Sequence, residues 1–94
     1  MATAVENGVN NAEDKSLKER AEGFKAEANT FFKQEKYLSA EEFYTKAIEL
    51  DGTNPVYFAN RSITHLKQEN FGYALNDASK AIELDSAYIK AYYR

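Results

Sequence analysis

The 94-residue chain has no cysteine and no tryptophan, one proline, one histidine and four glycines. Without cysteine there is no disulfide framework, no thiol nucleophile and no thiolate metal site, and nothing calls for an oxidising compartment. So few prolines and glycines exclude an all-β fold, whose tight turns depend on both. No apolar run approaches the ~18 residues of a membrane span. The N-terminal stretch up to Ser16 lacks the basic segment and apolar run of a secretory signal. The length excludes a barrel, a doubly wound sheet or a two-domain enzyme within these residues. With 12 basic against 15 acidic residues, the net charge of -3 argues against generic binding to nucleic acid or anionic membranes.

What the chain does have is aromatic side chains and a repeat. Seven Tyr and six Phe are many for this length. Residues 1–15 are small and polar, cannot bury enough surface to offset ordering, and are expected to form a disordered tail. Beyond them, Lys46-Ala47-Ile48-Glu49-Leu50-Asp51 recurs as Lys80-Ala81-Ile82-Glu83-Leu84-Asp85, at a spacing of 34. The same offset carries Phe24 to Phe58 and Tyr92, Ala28 to Ser62, and Ala40 to Ala74.

A period of 34 is that of the tetratricopeptide (TPR) unit, a helix–turn–helix stacked into a solenoid. Residues 21 to 94 resemble this family. Phe24, Ala28, Phe31, Ala40, Tyr44 and Ala47 stand at its signature positions in one repeat, and Phe58, Ser62, His65, Ala74, Ala78 and Ala81 in the next. Gly52 and Ser86 replace the usual Pro, and Arg61 stands where Leu is common. The expected fold is all-α: a TPR solenoid with one repeat over 21–54, a second over 55–88 and the start of a third over 89–94. Helices are expected at about 16–34, 37–50, 55–69 and 71–84, with a fifth from near 88. Ser16-x-x-Glu19 has the form of a capping box opening the first. Asn54 before Pro55 should cap the third, and Asn70 the fourth. Gly23 falls within the first helix, at a cost of roughly 1 kcal/mol relative to Ala. Two repeats and a fragment fall short of the three a solenoid needs, so a piece of a longer protein is expected.

Catalysis finds little to work with. His65 is the only histidine and stands where the other repeat has Phe31, so it reads as a packed interhelical residue and not as a base or ligand. The glycines form no phosphate-cradling cluster. Glu41-Glu42 read as solvated charges on an exposed helix face. No catalytic residue, metal site or cofactor is expected in this chain.

Binding is better supplied. Lys25 and Asn29 are four apart on one helix face, as are Lys90 and Arg94, and Asn60 precedes Arg94 by 34. In a TPR superhelix the first helices of successive repeats line one groove, so Lys25, Asn29, Asn60, Lys90 and Arg94 are aimed into it together. Three cations and two amides, with no carboxylate among them, make an anion-receptive cradle. Asn60 is telling, because asparagine is unfavourable inside a helix.

Lys25-x-x-x-Asn29, Asn60 and Lys90-x-x-x-Arg94 resemble the two-carboxylate clamp of co-chaperone TPR domains. That resemblance implies binding of a heat-shock chaperone tail ending Glu-Glu-Val-Asp, from the ninety-kilodalton chaperone or the seventy-kilodalton one. Lys25, Asn29 and Asn60 would hold the main-chain carboxylate, Lys90 the Asp side chain, and Arg94 positions further up the peptide. The stretches Gly72-Tyr73-Ala74-Leu75 and Tyr88-Ile89-Lys90-Ala91-Tyr92-Tyr93-Arg94 are similar to the N-terminal TPR domain of the type-5 serine/threonine protein phosphatase family. This implies a metal-dependent catalytic domain downstream, a contact by which the TPR domain shields it, and a cytoplasmic and nuclear location. An immunophilin-type or adaptor co-chaperone domain, or a purely structural scaffold, is the alternative.

Overall fold

The structure, a computed structural model, describes the backbone of residues 2–88 and the side chains of residues 13–87. The expected fifth helix, with Lys90 and Arg94, lies outside the described residues. Four helices follow one another: α1 (Ala2–Lys33), α2 (Tyr37–Leu50), α3 (Pro55–Lys67) and α4 (Phe71–Leu84), then a short 3₁₀ turn at Ser86–Tyr88. No strand occurs among the described residues. Each helix packs against its neighbours in chain order, α1 on α2, α2 on α3 and α3 on α4, as in an all-α helical-repeat solenoid.

The helix starts show which local signals govern. Asn54 caps α3 as its type predicts: its Oδ1 accepts from the Val56 N–H at 2.9 Å, with Pro55 at the first helical position. Asn70 does not cap α4 with its side chain. Its backbone is already committed, because its N–H closes α3 by donating to the His65 carbonyl at 2.9 Å. Ser16 opens nothing: α1 runs through it from Ala2 and takes in the stretch that composition assigned to a tail. No proline interrupts that stretch, and its alanines, glutamates and lysine favour helix, so a serine inside it is simply carried along.

The ends of α1 and α3 are built alike. Lys36 N–H donates to the Phe31 carbonyl at 2.9 Å and Glu35 N–H to Phe32 at 2.9 Å, a Schellman closure. Asn70 and Glu69 repeat it on His65 and Leu66. The left-handed residue such a closure needs is Glu35 at φ 61° in one turn and Glu69 at φ 62° in the other. Glycine would adopt it without strain; here glutamate does. The closure ends α3 at Lys67, two residues before the expected Glu69.

The core alternates small and large residues, which lets the helices approach without leaving voids. Ala28, Ala40 and Tyr44 are buried together, with Phe31, Phe32 and Phe43 packed on them. Ala21, Ala47 and Tyr57 form the next cluster with Phe24 and Val56, and Phe58, Ala59, Ala78 and Ala81 the third. Ile48 packs against both of the latter and joins the repeats. Ser62, though polar, is as buried as Ala28, because its Oγ donates to the Ala74 carbonyl at 2.7 Å.

Arg61, at a position where leucine is common, reaches across this layer. Its Nε and Nη2 donate to both oxygens of Asp77 at 2.7 and 2.8 Å, and Nη1 donates to Thr45 Oγ1 at 3.0 Å. The hydrogen bonds to Asp77 raise the guanidinium above its ordinary pKa. His65 is buried as expected, its ring stacked on Tyr73 at 5.4 Å. Glu41 is not the solvated charge its position suggested. It is half-buried and accepts from Gln68 Nε2 at 3.0 Å, tying α2 to the end of α3.

Candidate functional site: an amide-lined cleft between α1, α2 and α3

Of the five residues aimed at one groove, the structure describes Lys25, Asn29 and Asn60. Asn29 of α1 and Asn60 of α3 line the same cleft, of about 160 Å³, together with Phe32, Tyr44 and Ile63. Amides from two different helices thus share one space with an apolar wall. The helix packing makes this possible: Ala28 and Ala40 are fully buried at the α1–α2 crossing, next to Asn29.

Asn29 is held in a set orientation. The Tyr44 hydroxyl donates to its Oδ1. Burial pushes the Tyr44 phenol up to about 12, so it stays protonated and remains a donor. With Oδ1 engaged, the Nδ2 donors of Asn29 are the part of the amide left for a ligand. The cleft is therefore preset to offer hydrogens to an acceptor such as a carboxylate. Sequence reading missed this role of Tyr44 and took it for packing alone. The available signal was its hydroxyl, since a buried phenol needs a partner and the equivalent position 34 on is Ala78.

Lys25 lies one helical turn before Asn29 and does not line that cleft. Its Nζ is 2.9 Å from Glu22 Oε1, so the cradle has a carboxylate beside it that the pattern did not reveal. Glu22 also accepts from the Tyr57 hydroxyl of α3. That bond, then Lys25, holds the Glu22 carboxyl below its ordinary range, while Tyr57 is pushed up by burial and by Glu22. One bond to Glu22 leaves the ammonium two further donors for a ligand. Asn60 lines the cleft, and its carbonyl accepts from Thr64 Oγ1 at 2.8 Å. Lys90 and Arg94 lie outside the described residues. Among the described residues no group of three or more His, Asp or Glu could hold a metal ion.

A repeating α-hairpin solenoid with donors lining an interhelical cleft defines a class of peptide-receiving repeat domains, and known proteins bear on which one. No family model matches the chain. The second TPR domain of Spaghetti (RPAP3), solved bound to the HSP90 peptide SRMEEVD, superposes with a TM-score of 0.80 at 40% identity, over 86% of this chain and 73% of that one. The second TPR domain of human RPAP3, solved with the HSP70 peptide SGPTIEEVD, gives 0.76 at 40% identity over 80% and 62%. The chain belongs to the tetratricopeptide-repeat family. Among curated proteins, serine/threonine-protein phosphatase 5 of Homo sapiens is 53% identical over 81 residues, which are 86% of this chain but 16% of the phosphatase. The match falls in the TPR region of that enzyme and not in its catalytic domain.

Proposed function

We propose that this chain is the chaperone-docking module of a serine/threonine protein phosphatase, holding a heat-shock chaperone tail that ends Glu-Glu-Val-Asp. The observation that carries this reading is the pairing of Asn29 and Asn60 in one cleft, with the Tyr44 hydroxyl engaging the Asn29 Oδ1. A free C-terminal aspartate presents two carboxylates, which suit amide and ammonium donors. Lys25, one helical turn before Asn29, would join Asn29 and Asn60 on the main-chain carboxylate. Lys90 and Arg94 would complete the clamp on the aspartate side chain and the residues before it. Phe32 and Ile63 offer an apolar wall for an aliphatic side chain next to the terminus. The module works without catalytic residues or cofactor, in the cytoplasm and nucleus. Sequence identity of 53% to a phosphatase supports a phosphatase parent over an immunophilin-type or adaptor co-chaperone. Contact with that parent's own catalytic domain belongs to the same proposal.

The test is a calorimetric titration with the peptide SRMEEVD, its C-terminally amidated form, and SGPTIEEVD. Charge-assisted hydrogen bonds of about 1.5–3 kcal/mol predict that amidation weakens binding by about one to two decades. Asn60→Ala should weaken the free-acid peptide and narrow its advantage over the amide. Added salt should weaken binding as well, since the charges involved are solvent-accessible. Equal affinity for acid and amide would overturn the carboxylate clamp.

A further inference from the structure

A second cleft, of about 470 Å³, opens between α2, α3 and α4 and shares no lining residue with the first. Its walls carry Glu41, Arg61, His65, Tyr73, Asn76 and Asp77. Charge is unevenly matched among them. Arg61 and Asp77 satisfy one another through two hydrogen bonds and cancel. Among the described residues Glu41 forms no ion pair with lysine or arginine, although Arg61 acts on it at longer range; its hydrogen bond is to the neutral amide of Gln68, and its side chain is 33% exposed.

His65 supplies an independent sign that something is missing. It is 6% exposed, yet its buried Nδ1 has no hydrogen-bond partner. Its Nε2 lies 3.6 Å from Asp77 Oδ2; with the ring proton on that nitrogen, Nδ1 is an open acceptor. Glu41 Oε1 is 3.8 Å from the same Nδ1, an acceptor facing an acceptor. Above them Tyr73 stacks on the imidazole with one face while 67% of the residue stays exposed. Two open acceptors beside an exposed aromatic ring are the surroundings a cationic head group prefers. An anion would meet Glu41, and an apolar group would leave both acceptors unpaired.

We infer that this cleft receives a lysine or arginine side chain of a partner polypeptide. The head group donates to the Glu41 carboxylate and to Nδ1 of His65 and lies against the Tyr73 ring. A polypeptide fits better than a free amine because the space does not end at the acceptors. Asn70, Tyr73 and Asn76 also line an adjoining cleft with Phe71 and Leu75, which are 64% and 48% exposed. The partner segment thus carries a basic residue next to an apolar one. Its charge also complements a chain of net -3.

The probe is an acetylated, amidated Leu-Arg-Leu-Arg peptide, followed by backbone amide shifts in the 94-residue chain. Its comparison is the same peptide with glutamine for arginine. The basic peptide should shift Glu41, His65 and Tyr73, and the glutamine form should not. Glu41→Gln should weaken binding about tenfold, the scale of one charge-assisted bond. Tyr73→Leu, on an exposed ring whose loss leaves the helix intact by circular dichroism, should weaken it about threefold. Saturating SRMEEVD should not displace the peptide. Equal binding of the glutamine peptide, or unchanged affinity in Glu41→Gln and Tyr73→Leu, would overturn the proposal. So would spermidine giving the same shifts at the same affinity, because the site would then hold a small cation and not a polypeptide.

Discussion

Where the first repeat places Phe31 of α1 against Phe43 of α2, with ring centroids 5.2 Å apart, the second places His65 and Asp77 at the same two positions 34 residues on. His65 Nε2 lies 3.6 Å from Asp77 Oδ2, and Arg61 is drawn in to neutralise the carboxylate. The backbone hardly distinguishes the two solutions: both hairpins use the same closure and small residues at the helix crossings, Ala28 and Ala40 in one and Ser62 and Ala74 in the other. The repeat thus prescribes size and position and leaves chemistry free. The difference should show in fragility. An aromatic pair loses area gradually when trimmed, whereas a buried polar group loses its whole compensation when one partner goes.

The sharpest test of that contrast is Asp77→Ala against Phe43→Ala. The first strands a guanidinium with a side chain only 20% exposed, and leaves His65 Nε2 without its carboxylate. Urea unfolding should show a loss of about 3 kcal/mol, the lower end for a broken buried pair. Phe43 is only half-buried, so its truncation should cost about 2 kcal/mol. A larger loss for Phe43→Ala would break the comparison.

Tyr44→Phe isolates a single bond in the aromatic repeat, the one to Asn29. The expected loss is about 1 kcal/mol, with weaker binding of SRMEEVD as the Asn29 amide is freed to turn. The sign with pH follows from a phenol raised from 10.0 to about 12. Its contribution is complete below pH 10 and is lost as pH climbs through about 12. An ultraviolet absorbance titration should lose a tyrosine ionisation near pH 12 in Tyr44→Phe.

Smaller effects test whether the two turns are equivalent. Glu35→Gly and Glu69→Gly each replace a left-handed glutamate and should each stabilise by about 0.7 kcal/mol, the balance of strain relieved against chain entropy gained. Unequal gains would show that one turn is held by more than its own closure. Smallest is Gly23→Ala, where an added Cβ meets nothing within 4 Å on an exposed helix face. Helix propensity alone predicts a gain of roughly 0.5 kcal/mol by thermal unfolding.

Much of the architecture could be read before any coordinates. The 34-residue period specifies a helical repeat, and α2 and α4 occupy the expected 37–50 and 71–84. Asn54 caps α3 because a cap is a contact between near neighbours in sequence. Asn29 and Asn60 meet in one cleft because helix periodicity and the repeat offset are both regular. Tertiary structure decided the rest. The link from Tyr44 to Asn29, the Glu22 bridge between Lys25 and Tyr57, and the clasp of Arg61 on Asp77 join side chains of different helices. A periodic pattern records which positions are small or large and which face inward. It does not record which polar atoms meet once inside, because that depends on how closely each pair of helices approaches and at what angle. The burial of Glu41 and the open nitrogen of His65 follow from the same packing, and no spacing in the sequence encodes either.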